Sequence, residues 1–154
     1  MDSHFNQTLR YLLAHAPKGR DDWWLIGSAA LRIMGVDVEA RDVDLLTTRD
    51  GGLAWLSVFG LPPDIKPGRD MFRSTVFKSL KVDDGLELEI MGHLEVATHE
   101  GWRLLLPRTR QAVTTPVGTV YVPEAHEMLK ILMLFGRPKD MDRAALLRDF
   151  MRSR

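Results

Sequence analysis

The segment "WWLIGSAALRIMGVDVEARDVDLLTT", residues 23–48, places two aspartates in a run that otherwise predicts a buried β-strand. A buried carboxylate needs a positively charged partner, because its desolvation costs free energy. On a strand, Asp42 and Asp44 point to one side, whereas Val43 and Leu45 point to the other. The two carboxylates can therefore meet at one metal ion, and hard oxygen ligands suit Mg²⁺ or Mn²⁺. A solvated strand edge or a pair of turn caps would give the same local pattern.

A tight turn precedes the two aspartates. Residues 21–27 predict a short strand, and residues 28–34 predict a helix that stops at Gly35. Between them, the Gly27-Ser28 turn brings together backbone N–H groups, the positive end of a helix dipole and a hydroxyl, a combination that binds phosphate. Glycine also lets the backbone pass close to a ligand. Alone, the same pair is equally an ordinary turn with an N-cap.

A later strand adds two further acids. In "LELEIM", residues 86–91, Glu87 and Glu89 share one face. If this strand lies beside the strand of Asp42, one glutamate can complete a cluster of three carboxylates. Alternating Glu and Leu is also typical of any half-exposed strand.

Taken together, the order and spacing of these pieces resemble the nucleotidyltransferase superfamily, typified by DNA polymerase beta and the antibiotic nucleotidyltransferases. The resemblance covers about residues 23–91. It implies that Gly27 and Ser28 hold the nucleotide phosphates and that Asp42 and Asp44 bind two divalent metals. The paired acids are thus expected to be both catalytic and metal-ligating.

The third acid implied by the resemblance is Glu89 or, less favoured, Glu87. Glu89 lies deeper in its strand, away from the "DDG" turn, and catalytic ligands need a rigid backbone. Many relatives carry aspartate at this position. We therefore expect Glu89 to be the third catalytic and metal-binding residue.

A second acid-Val-acid pattern competes with the first. Asp37 and Glu39 lie closer to the Gly-Ser turn than Asp42 and Asp44 do. The sequence "VDLLTT" continues as an apolar and β-branched strand, whereas "GVDVEARD" stays polar after a helix-stopping glycine. We therefore prefer Asp42 and Asp44.

The C-terminal part predicts two helices, in residues 123–136 and 139–153. Small members of the superfamily, resembling the minimal and the antitoxin-associated transferases, carry such a helix pair with a lysine and a basic-Lys-Asp turn. Lys130, Lys139 and Asp140 match these positions, which makes Lys130 a candidate nucleotide contact. A lysine whose stem covers the core and whose amine reaches water fits Lys130 nearly as well.

The predicted fold class is α+β, with a small mixed sheet flanked by helices, as in nucleotidyltransferases, and a C-terminal helix pair. We expect one domain over residues 1–154, with a core of about residues 20–122 and the helix pair at about 123–152. Apolar spacing, turn signals and caps also predict a first helix, a second strand, a helix after it and two hairpins, in residues 3–16, 42–48, 50–60, 72–91 and 111–123.

Composition narrows the class of protein. The 154 residues are 45% hydrophobic and 27% charged, which is ordinary for one globular domain with a sizeable core. Lys plus Arg and Asp plus Glu both total 21, so net charge predicts no general attraction to nucleic acid or to a membrane. The sequence has no cysteine, which excludes disulfides and a thiol nucleophile and suits the cytoplasm. The N-terminal residues do not resemble a secretory signal.

The resemblance implies transfer of a nucleoside monophosphate from a nucleoside triphosphate, such as ATP, to an acceptor, with release of pyrophosphate. The acceptor is a small molecule, an RNA or a protein, with its specificity in loops such as "LPPDIKPGRD", residues 61–70. Two alternatives stay open: a catalytically degenerate nucleotide-binding protein, and an antitoxin or other partner-binding module on the same fold. A nucleic-acid-binding protein is disfavoured by the zero net charge.

Overall fold

The structure is a computed structural model that describes residues 3–65 and 71–154. Within these residues the chain forms five helices, which are α1 Ser3–Ala14, α2 Gly27–Met34, α3 Arg49–Phe59, α4 Ala125–Phe135 and α5 Pro138–Arg152. The same residues form seven strands, which are β1 Trp23–Ile26, β2 Asp42–Thr47, β3 Phe72–Lys81, β4 Glu87–Thr98, β5 Gly101–Leu104, β6 Gln111–Thr115 and β7 Gly118–Val122. The predicted α+β class with a C-terminal helix pair is confirmed.

The main sheet is mixed, as predicted. Its strand order is β1-β2-β4-β3, and β5 pairs with the far end of β4. Strands β2 and β4 are parallel, and the other neighbouring pairs are antiparallel. Strands β6 and β7 form a separate hairpin. The pairing of β2 with β4 matters most here, because it brings the two acidic segments side by side.

The core lies on the face of the central strands opposite to their acids. Val43, Leu45, Leu88 and Ile90 are completely buried. They belong to one apolar cluster to which all five helices contribute. Burial of these side chains fixes the register of β2 and β4, because a slip of one residue would turn the acids inward.

The helices begin and end where the turn chemistry allows. Gly35, Gly60 and Gly136 follow α2, α3 and α4 in the left-handed conformation, where glycine is strain-free. Thr48 caps the start of α3 by accepting a hydrogen bond from the Gly51 N–H group. In the described parts of the chain, every helix is too short or too polar to span a lipid bilayer.

The sequence prediction for the middle of the sheet was incomplete. Strand β4 continues beyond Met91 to Thr98, and β5 was not predicted. Gly92 interrupts the strand pattern, since glycine usually weakens a strand. Here it is required by a close approach, because a Cβ atom at Gly92 would lie 3.0 Å from the Thr48 carbonyl oxygen. Every residue of β5 is exposed, so this edge strand carries no burial pattern that a sequence reading could detect.

The loop to which acceptor specificity was assigned spans residues 61–70. Of these, residues 66–70 lie outside the described residues.

Helix α3 approaches the sheet closely at Gly52, where an added Cβ atom would lie 3.1 Å from the Val76 side chain and 3.4 Å from the Gly92 Cα. We expect Gly52→Val to lower the free energy of unfolding by about 1–3 kcal/mol through overpacking, although valine favours a helix more than glycine does. Ser57→Val, on the exposed face of the same helix, should change it by less than about 0.5 kcal/mol. Urea unfolding measures the free energy of unfolding of both variants. Equal values for Gly52→Val and Ser57→Val would contradict the close packing at Gly52.

Candidate active site

Three carboxylates come together on the polar face of the central strands. In the parallel β2–β4 pair, Asp44 lies beside Glu89 and Asp42 lies beside Glu87. Asp42, Asp44 and Glu89 each offer an oxygen, and the three oxygens lie within 4.8 Å of one another. We call these three residues the acidic cluster. The expectation that the second acidic strand lies beside the Asp42 strand is confirmed.

The two glutamates of β4 have different surroundings. The Glu87 side chain is exposed and accepts a hydrogen bond from the Ser79 hydroxyl on β3. Glu89 is half-buried and belongs to the acidic cluster. The structure thus brings Glu89, and not Glu87, to the paired aspartates, which agrees with the preference drawn from the sequence.

The competing acids lie elsewhere. Asp37 and Glu39 belong to residues 36–41, which form neither helix nor strand between α2 and β2. The described residues contain one group of three metal-ligating side chains within this range of distances, the acidic cluster, and it includes neither of them. The preference for Asp42 and Asp44 agrees with this geometry, and their chemical roles stay predictions.

The carboxylate of Asp44 lies in an electrostatically unfavourable environment. Burial raises its pKa well above the usual range of an aspartate, and the negative charges of Asp42 and Glu89 raise it further. The positive charge of Arg143 on α5 acts in the opposite direction. The Oδ1 atom of Asp44 is buried without a hydrogen-bond partner in the described residues. The carboxylate therefore needs a proton or a cation, and the all-oxygen donor set fits Mg²⁺ or Mn²⁺.

The Gly27-Ser28 turn lies directly against this carboxylate. Ile26 pairs with Asp44 between β1 and β2, so the chain reverses at the acidic cluster and enters α2. Gly27 has φ +70°, and an added Cβ atom would lie 3.1 Å from the Asp44 Oδ2. No side chain caps the first turn of this helix within the described residues. The turn thus leaves backbone donors beside the acids, as phosphate binding requires.

A cavity of about 380 Å³ adjoins the acidic cluster. Asp44 and Glu89 line it together with apolar side chains from the sheet and α4, which are Ile26, Phe72, Phe77, Met91, Leu94 and Phe135. These residues give no sequence signal of a ligand site, because apolar side chains in strands and helices are ordinarily core residues. The volume is in the range of about 300–1,000 Å³ that small-molecule sites occupy.

Two arginines complete the walls of the cavity, and each is held by an acid. Arg137 donates from Nε to Asp140 Oδ2 at 2.6 Å and from Nη2 to Oδ1 at 3.1 Å, and Asp140 is only 1% exposed. Arg73 donates to Glu95 at 2.9 Å and covers the Trp102 ring at 4.2 Å. Asp140 therefore has a structural role at the start of α5, where it accepts bonds from Arg137.

Lys130 lies in a different place. It is exposed on α4 and lines a second cavity of about 590 Å³, with Glu127 and Met133. The two cavities share no lining residue among those described. Lys139 is exposed in the first turn of α5. The structure does not bring Lys130 into the cavity of the acidic cluster, and its contact with a nucleotide stays a prediction.

In the absence of metal, Asp44→Asn is expected to raise the melting temperature. The pKa of Asp44 is higher in the folded than in the unfolded chain. Ionisation of this carboxylate therefore destabilises the fold, and the wild type loses stability as pH rises through the folded pKa. Asparagine does not ionise, so the stabilisation should be larger at mildly alkaline than at mildly acidic pH.

Thermal unfolding in chelator at two pH values measures this difference. Asp83→Asn, at an exposed position in the β3–β4 turn, is the matched control and should leave the pH dependence unchanged. A lower melting temperature for Asp44→Asn than for the wild type at both pH values would contradict the prediction that ionised Asp44 destabilises the fold.

Comparison with known proteins supports the fold. No protein-family model and no curated protein sequence matches the chain. Solved structures similar to it include the "putative nucleotidyltransferase" TM1012 from Thermotoga maritima, with 22% identity, coverage of 96% of this chain and 92% of that chain, and a TM-score of 0.73. The antibiotic-resistance factor ANT(2'')-Ia is 16% identical, with coverage of 98% and 86% and a TM-score of 0.56.

The lincosamide antibiotic adenylyltransferase LnuA, in its lincomycin-bound form, is 13% identical over 82% of this chain and 85% of that chain. Its TM-score is 0.49. The similarity to TM1012 extends over almost the whole of both chains. This protein therefore has the fold of the nucleotidyltransferase superfamily.

Proposed function

We propose that this protein transfers a nucleoside monophosphate from a nucleoside triphosphate to an acceptor hydroxyl or phosphate and releases pyrophosphate. One observation carries the proposal: the buried oxygen of Asp44, which has no hydrogen-bond partner among the described residues, lies in a cluster with Asp42 and Glu89, directly against the Gly27-Ser28 turn. Acids that hold divalent metal and a helix start that binds phosphate are the two parts that such a transfer needs. The fold of the superfamily supports the same reaction.

Each residue of the site has a proposed task. Asp42, Asp44 and Glu89 hold divalent metal, and the first N–H groups of α2, together with the Ser28 hydroxyl, bind the triphosphate. Bound there, Mg²⁺ or Mn²⁺ would neutralise phosphate charge and lower the pKa of the attacking oxygen. Glu89 accepts the proton of the acceptor. The rigid β2–β4 pair keeps the reacting groups aligned, which is the main contribution a protein makes to this chemistry.

The experiment that tests the proposal compares the two glutamates of β4. Glu89→Gln should keep the affinity for Mg²⁺ and nucleoside triphosphate within a few fold, since both aspartates remain. Pyrophosphate release should fall by about two orders of magnitude or more, because the proton acceptor and one ligand charge are lost. Glu87→Gln is the matched control, two residues away on the same strand, and should resemble the wild type.

Both quantities are measured on the same preparations, nucleotide affinity by calorimetry and pyrophosphate by a coupled assay with each of the four nucleoside triphosphates. A severe loss in Glu87→Gln with a normal Glu89→Gln variant would reverse the assignment of the third acid. Nucleotide binding without any pyrophosphate release in the wild type would instead support a catalytically degenerate nucleotide-binding protein.

A second prediction concerns the turn. Ser28→Ala should weaken triphosphate binding by about 1–2 kcal/mol, because the backbone donors and the helix dipole remain. Gly27→Val should abolish it, since its side chain would press on the Asp44 carboxylate and a β-branched residue opposes a positive φ. Circular dichroism of both variants controls for folding, and equal effects on binding would mean that this turn does not contact phosphate.

A further inference from the structure

We propose that the cavity beside the acidic cluster binds the acceptor of the reaction, and that this acceptor presents an apolar, uncharged body to the protein. The inference rests on the proposed function and adds to it the chemical class of the second substrate. Three features of the cavity carry it: the nature of its walls, the pairing of its charges and its position relative to the Gly27-Ser28 turn.

The walls favour an apolar occupant. Of the eleven lining residues in the described part of the chain, six are aliphatic or aromatic, and Phe77 and Leu94 are themselves buried, at 8% and 3% exposure. Phe72 packs edge-to-face on Phe135, with ring centroids 5.0 Å apart, and this contact joins β3 to the end of α4. A ligand in this cavity therefore gains affinity mainly by removing apolar surface from water.

The charges in the cavity exclude a cationic occupant. Arg137 is paired with the buried Asp140, and Arg73 is paired with Glu95. The other charged lining residues are Asp44 and Glu89, which the proposed function assigns to metal. Among the described lining residues, a cationic ligand would thus meet two arginines and no carboxylate that is free to pair with it, so its desolvation would not be offset.

Arg137 also provides a polar contact for the acceptor. Its Nε and Nη2 atoms bind Asp140, whereas its Nη1 atom has no hydrogen-bond partner in the described residues. The guanidinium is held over the rings of Phe72 and Phe135, at 5.0 Å and 5.7 Å from their centroids. Because Asp140 neutralises the charge of Arg137, this fixed donor favours an uncharged ligand with a hydrogen-bond acceptor such as a hydroxyl or carbonyl oxygen.

The position of the cavity assigns it to the acceptor. The Gly27-Ser28 turn follows β1, on one side of β2, whereas most of the cavity is formed by β3, β4 and the α4–α5 junction, on the other side. Phosphoryl-type transfer needs the attacking and leaving oxygens roughly in line, hence on opposite sides of the phosphorus. With the triphosphate at the turn, the acceptor approaches from the cavity, where Glu89 lines the wall and can take its proton.

The test uses two probes of similar size. Naphthol is uncharged and carries a hydroxyl, whereas naphthylmethylammonium is cationic. Binding is measured by calorimetry in Mg²⁺ and a non-hydrolysable ATP analogue. Naphthol should bind at least about tenfold more tightly than the cation. Equal or tighter binding of the cation would overturn the proposed class of acceptor.

Two methionines locate the probe. Met91→Trp fills the cavity without a change of charge and should weaken naphthol binding more than about tenfold, whereas Met133→Trp, in the second cavity, should leave it unchanged. Met91→Gln, which changes volume little, gives the same test in milder form if the tryptophan variant does not fold. Equal losses in the Met91 and Met133 variants would place the probe elsewhere and overturn the assignment.

The affinity for nucleotide distinguishes a wrong acceptor assignment from a wrong proposed function. The Met91 variants should bind Mg²⁺ and the ATP analogue as the wild type does. If they lose nucleotide affinity, the cavity holds the nucleobase rather than the acceptor, and this inference is wrong while the proposed function stands. If the wild type binds no Mg²⁺ and nucleotide at all, the proposed function itself fails.

Discussion

The close approach of three carboxylates is the constraint on which the rest of the structure depends. Asp42, Asp44 and Glu89 repel one another, and they stay together because the parallel pairing of β2 and β4 fixes their backbones. The apolar residues on the opposite face of the two strands lock that pairing. The free energy gained by burying the core thus offsets the repulsion among the carboxylates on the polar face.

A positive charge at this point would remove the conflict. The raised pKa of Asp44 expresses the same fact in thermodynamic terms, because burial and neighbouring charges make its ionised form unfavourable. Arg143 compensates only in part. The close contact of Gly27 with this carboxylate means that a phosphate held by the turn and a cation held by the acids would be immediate neighbours. Perturbed pKa values of this kind are found most often at functional sites.

The helix pair connects the site to the rest of the molecule. Asp140 is buried at the start of α5 and orients Arg137, whose guanidinium lies over aromatic rings of β3 and α4. The cavity beside the acids is therefore closed by β3 and by the junction of α4 and α5, which are far apart in the sequence. Its apolar walls and paired charges distinguish it from the acidic cluster, so one site contains both a polar and an apolar half.

Local patterns were sufficient to predict most of the elements and to show which acids share a strand face. Period-two alternation placed Asp42 and Asp44 on one face, and the "DDG" turn predicted the hairpin that carries Glu89. Such signals are visible because they depend on residues that are neighbours in the chain. The resemblance in order and spacing then predicted the fold.

Only the tertiary structure decided the contacts between distant segments. Gly92 continues β4 at a close approach to α3, and the exposed strand β5 is held by backbone pairing with β4 and by the contact of Trp102 with Arg73. Glu87 bonds to Ser79 and lies outside the acidic cluster, and Lys130 lines another cavity, although the sequence had offered both as candidates. The apolar cavity has no sequence signature, because its apolar side chains cannot be told from core residues. Periodicity shows which face a side chain occupies, and only packing decides what that face meets.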